Sequence, residues 1–150
     1  MKSFKQFTEQ SYSYAMDTYK PIADLNAAAG DAQLSRADLD NVEKYADRLY
    51  KSVGIDVEFT KHFLDRVNDA RNKTQITVSE LIRMFKQSYK MYGKKIARLG
   101  PDAEAVLNDM QTDVNMPFVL KWDGKELDLV AKTVMRKKDF ATSNPKLSFK

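Results

Sequence analysis

The stretch TKHFLDRVNDAR, residues 60–71, holds the only histidine of the chain, His62, and four residues on comes Arg66. An imidazole is the one side chain whose ordinary titration lies near neutral pH, and a guanidinium is a permanent, fork-shaped donor for phosphate. A second set of polar groups follows far along the chain: Lys132, Thr133, Arg136 and Lys138. If the two sets face each other, they form the equipment of a metal-free ribonuclease. His62 would act as base or acid, Arg66 and Arg136 would hold the phosphate, and Thr133 would assist. Lys132 and Lys138 would add positive charge to the same phosphate. A purely structural alternative stands beside this one. In it Arg66 pairs with Asp69, or with a carboxylate of another element, and His62 is a half-exposed packing residue.

Another group of cations lies between Arg83 and Arg98. Six basic residues occur there without a single acid. Arg83, Lys86, Lys90 and Lys94 fall on one side of a helix and form a candidate nucleic-acid-binding stripe. The plainer reading of such a stripe is a solvated helix face.

Other chemistries find little support. With no cysteine and one histidine, neither a disulfide framework nor a thiolate or imidazole metal cluster can form. Glycine-rich phosphate loops, serine-hydrolase elbows and zinc-protease motifs are missing. Asp123-Gly-Lys125 imitates a metal-dependent nuclease pattern only by chance, so the expectation is no cofactor and no metal. The methionines read as core filler, and Trp122 reads as a cover for a hairpin turn.

The elements that must position these groups follow from patterning. At 150 residues and 43% hydrophobic, the chain suits one compact domain, residues 36–150, with residues 1–35 as a polar tail. Nothing resembles a membrane span or a secretory signal. Ser35-Arg-Ala-Asp38 and Thr77-Val-Ser-Glu80 are capping boxes that open helices. The first carries Leu39, Val42, Ala46 and Leu49; the other carries Ile82, Phe85, Tyr89, Tyr92 and Ile96. Between them, Asp56 is expected to cap a helix of about 15 residues ending at Arg71. Gly100-Pro101-Asp102 is expected to start a short fourth helix. After Met116 the apolar period changes to two. A hairpin over 117–138 is expected, with Asp123-Gly124 as a two-residue turn and Lys121 opposite Glu126. The run 127–138 is long for one strand and should bend, and the tail after Asp139 can add a further strand. The fold class expected is α+β: three to four helices, then a small C-terminal antiparallel sheet, with helices on the Phe118/Leu127 face.

Two resemblances add to this reading. MKSFKQFTEQ, with Met1-Lys2, a small residue, Phe4, Phe7 and an acid at Glu9, resembles the capsid-targeting peptide of internal head proteins of T-even-like tailed phages. The resemblance implies cleavage after Glu9 by a prohead protease, although Phe7 stands where that family usually has an aliphatic residue. Residues 55–140 resemble the barnase, EndoU, colicin and RelE group of metal-independent nucleases. That likeness rests on His62-x-x-x-Arg66 at the start, helices in the middle and a closing strand like LVAKTVMRKKDF. It implies a small α+β fold that cleaves RNA at the sheet face, with His62, Arg66, Thr133 and Arg136 at the site.

The function expected from all this is a phage-encoded, nucleic-acid-interacting protein with a metal-independent ribonuclease-like domain. It would be carried in the virion and delivered to the host cytoplasm, with RNA ahead of DNA as ligand. The alternatives are a non-catalytic basic head protein that binds packaged DNA or capsid proteins, and a host-directed interaction protein.

Overall fold

The computed structural model describes residues 32–150. The capsid-targeting-like segment lies outside the described residues. Three α-helices are present among those described: α1 (Arg36–Tyr50), α2 (Phe63–Val67) and α3 (Val78–Leu99). Six strands join them: β1 (Ile55–Phe59), β2 (Glu104–Asp109), β3 (Val114–Trp122), β4 (Leu127–Ala131), β5 (Met135–Arg136) and β6 (Lys146–Phe149). The fold is α+β with a mixed sheet, not a helical layer closed by one small antiparallel hairpin.

The sheet runs β1-β4-β3-β2-β6, with β5 continuing beside β3 after β4 ends. β1 lies parallel to β4, and β6 lies parallel to β2, while β3 is antiparallel to β2, β4 and β5. Side chains alternate across the pleat. One face sends Val57, Leu107, Phe118, Leu120, Leu129 and Leu147 into the core with Tyr45 and Leu49 of α1 and Phe85 and Ile96 of α3. The other face is polar. On it Asn108 accepts from Ser148 and donates to Asn115, and Lys132 meets Glu104 at 2.7 Å.

Both capping boxes form. Ser35 exchanges hydrogen bonds with Asp38, and Thr77 does so with Glu80. Gly54, at φ +78°, ends the turn that extends α1, a conformation glycine adopts without steric cost.

The helix expected from Asp56 to Arg71 is divided among three elements: β1, α2 and a 3₁₀ turn at Ala70–Asn72. Ile55 and Val57 are buried while Asp56 and Glu58 are not, a period of two that outweighs the helical spacing of Phe59, Phe63 and Val67. Phe59 stacks on Phe63 at 4.4 Å across the strand-to-helix junction, so those residues do meet. The fourth helix is absent as well. Gly100 and Asp102 both take positive φ, and Ala105, Val106 and Leu107 follow as three consecutive buried residues of β2.

The hairpin forms with a longer loop than expected. Asp123 Oδ1 accepts from the N–H groups of Lys125 and Glu126, which opens the connection to four residues. Lys121 therefore stands opposite Asp128, not Glu126. The shift is two residues, so the inward and outward faces keep their parity. The bend expected inside 127–138 is the gap between β4 and β5, and the added C-terminal strand is β6.

Candidate nucleic-acid interface

A cleft of about 820 Å³ opens between the segment from α2 to Thr74 and the segment Thr133–Lys138. Its first wall follows from local chemistry. Asp69 caps the 3₁₀ turn by accepting from the Arg71 N–H, and its carboxylate also takes both the Nε and an Nη of Arg71. The Arg71 guanidinium is the main reason that the Asp69 carboxyl falls to about 2. Arg66 approaches the same carboxylate at 3.8 Å, which is the structural pairing that the spacing allowed.

The second wall follows from the end of the sheet. Asn115, fully buried, donates to the carbonyls of Asp113 and Lys137 and thereby fixes the strand that carries the basic run. Asn72 pins the two walls together. Only 4% exposed, it donates to the carbonyls of Arg66 and Val67 and accepts from the Arg136 N–H at 3.0 Å. Arg136 completes the clamp. Its guanidinium reaches both Glu80 oxygens and the carbonyls of Thr74, Gln75 and Thr112. All five N–H donors are thereby engaged, which leaves none for a phosphate.

Six cations and two carboxylates line the cleft. Arg66 and Arg71 pair with Asp69 and Arg136 pairs with Glu80, whereas Lys73, Lys137 and Lys138 have no carboxylate within ion-pair distance among the described residues. Lys73 is also strained. It sits at φ 67°, ψ −57°, and the Thr74 N–H reaches back over it to the Asn72 carbonyl at 2.7 Å. That is a γ-turn of the unfavourable hand, rare for a side chain with a Cβ.

The residues expected at a site are distributed unevenly. Arg66, Thr133, Arg136 and Lys138 line the cleft. His62 does not. It stands at the N-cap of α2 with its side chain 67% exposed and Nδ1 3.8 Å from Asp65. Lys132 is turned onto the open sheet face by Glu104. On α3, Arg83 is held by the fully buried Asp109 at 2.8 Å, which removes it from the basic stripe. Lys86, Lys90 and Lys94 stay outside the core. Three cleft cations were not foreseen as ligands: Arg71, Lys73 and Lys137. Lys137 was visible inside a basic run. Arg71 and Lys73 were obscured because their segment looked like a helix end, although Asp69-Ala-Arg71 has the spacing of a side-chain-capped turn.

Comparison of the chain with protein-family models, with curated proteins and with solved structures finds no match.

Proposed function

We propose that this protein binds a phosphate-bearing polymer, nucleic acid, in the cleft between Asp69–Thr74 and Thr133–Lys138. One observation carries the reading: three lysines without carboxylate partners among the described residues ring a groove whose walls are cross-tied by Asn72 and Arg136. Amide pins hold the walls at a fixed separation, and the unpaired ammonium groups supply attraction that a polyanion can satisfy with release of its counterions. The strain at Lys73 supports the same reading, since such backbone is kept where a ligand contact repays it. RNA stands ahead of DNA because residues 55–140 resemble metal-independent nucleases. A place in a phage virion rests on the N-terminal resemblance alone.

The experiment is fluorescence anisotropy with a labelled single-stranded RNA and a labelled DNA duplex over a salt series. Binding should weaken steeply with salt, and Lys73→Glu with Lys137→Glu and Lys138→Glu should lower affinity by at least about 100-fold. Unchanged affinity in that triple variant would exclude the cleft as the binding surface.

A second reading, RNA cleavage at this cleft, is favoured by one fact: Arg66 and Thr133 line the groove together. It also needs a proton acceptor. His62 is one turn of α2 away from Arg66 and outside the lining, so it must swing inward when RNA is bound. Incubation with RNA in excess EDTA tests this directly. The absence of 2′,3′-cyclic phosphate ends, or equal cleavage by His62→Ala, would leave binding alone.

A further inference from the structure

The charge of this chain is divided in space. Away from the cationic cleft, the β1/β4 side of the sheet collects carboxylates. Asp56 and Asp128 are direct partners across the parallel β1/β4 pair, and Glu58 follows Asp56 on the same face. One oxygen from each of these three residues lies within 4.8 Å of the others, and the same holds for Asp123, Glu126 and Asp128. Asp128 is common to both groups.

Asp128 is only 7% exposed, and its Oδ1 has no hydrogen-bond partner among the described residues. An uncompensated buried carboxylate is costly, and crowding by like charges adds to the cost. The cation placed to relieve it does not. Lys121 stands directly opposite Asp128 on β3, yet its ammonium is bonded to Asp102 at 3.2 Å. Asp123, in contrast, accepts from the loop N–H groups of Lys125 and Glu126.

We propose that this corner binds a hard divalent cation, with Asp56, Glu58 and Asp128 as the central ligands and Asp123 and Glu126 at the rim. The donor set is all oxygen, which selects against zinc, copper and iron and in favour of calcium, magnesium or manganese. Calcium is preferred. Five carboxylates from two strands and a loop offer an irregular, crowded shell, which calcium accepts and magnesium, with its strict octahedron and retained waters, does not. The cation would sit beside Asp128 Oδ1 and replace repulsion by attraction. This inference does not rest on the cleft and concerns a different end of β4.

The test is titration calorimetry of the full chain with calcium chloride, alongside thermal unfolding in the same salt. One equivalent should bind with a Kd on the order of 10⁻⁴–10⁻³ M, the weak end of the range for protein calcium sites. Millimolar calcium should raise the melting temperature more than an equal ionic strength of sodium chloride does. Asp128→Asn should lower affinity by at least about tenfold. The same substitution should raise stability without calcium, because it removes a buried charge from a repulsive cluster; that gain also shows that the variant folds. Asp102→Asn, which frees Lys121 to turn toward Asp128, should weaken calcium binding as well. Absence of saturable binding up to about 10 mM calcium, magnesium or manganese would overturn the proposal. So would unchanged affinity in Asp128→Asn, and tighter binding of magnesium than calcium would overturn the preference.

Discussion

Arg136 and Glu80 meet through two parallel hydrogen bonds, 2.7 and 3.0 Å long, from the two guanidinium nitrogens to the two carboxylate oxygens. The pair is mostly shielded, with side-chain exposures of 16% and 22%. Glu80 is at the same time the acidic residue that closes the capping box opening α3, three positions after Thr77. One carboxylate therefore joins the start of the long helix to the short strand β5, and one arginine closes the floor of the cleft.

Removal of that arginine should cost stability first. Arg136→Met leaves Glu80 with the Thr77 N–H alone and takes this donor from the carbonyls of Thr74, Gln75 and Thr112, so a loss of about 3 kcal/mol is expected. Arg136→Lys should recover only part of it, since an ammonium cannot span five acceptors. Urea unfolding measures both. An unaltered midpoint in Arg136→Met would show that the clamp is not what holds the two walls.

The pair that ties Arg83 of α3 to Asp109 of β2 should behave in a similar way. Asp109 is fully buried, with Arg83 on one oxygen and the Gln111 N–H on the other. Arg83→Met strands a carboxylate in the core and should destabilise by about 3 kcal/mol. The double variant Arg83→Met/Asp109→Leu should be markedly more stable than the single one. A thermodynamic cycle on the pair would read this coupling.

Charge reversal separates the two basic surfaces. Lys73, Lys137 and Lys138 ring the cleft, while Lys86, Lys90 and Lys94 lie on α3. Each phosphate-contacting lysine lost should reduce the slope of log K against log salt by about one. The cleft triple should therefore flatten the salt dependence, and the helix triple should leave it near wild type. The reverse order would move the interface to α3.

Acid should loosen the first wall of the cleft. The Asp69 carboxyl is lowered to about 2, chiefly by its hydrogen bonds from Arg71. A carboxyl depressed on folding adds stability that is complete above its ordinary value near 4 and is lost as pH falls through 2. Stability of wild type should therefore fall with pH in that window more than that of Asp69→Asn. Hydrogen exchange at the Arg71 N–H and carbon-detected titration of Asp69 would follow it.

Much of this fold can be read from the chain before any coordinates. The two capping boxes, the stripes of Leu39–Leu49 and Ile82–Ile96, and the alternation from Phe118 to Ala131 are local patterns, and each specifies its element through short-range sterics and burial period. The inward face of the hairpin survived a wrong loop length, because a two-residue shift preserves pleat parity. β1 and β2 were lost for the opposite reason. Five or six residues give a period of two little room to show itself, and Phe59, Phe63 and Val67 fit a helix equally well.

The sites depended on pairings that no local pattern records. His62 stands at the N-cap of α2 and Arg66 within it, yet only Arg66 lines the cleft. Arg136 finds Asn72 across 64 residues of sequence, and Thr60 finds Lys132 across 72. The acidic corner needs a parallel partner, β1 beside β4, whose register puts Asp56 next to Asp128. By itself the sequence determined which residues are helical caps, which faces are apolar and how the positive charge is grouped along the chain. Tertiary structure decided which cations remain unpaired and which carboxylates crowd together. That choice belongs to long-range burial and hydrogen bonding, whose partners are selected by the packed whole and not by neighbours in the chain.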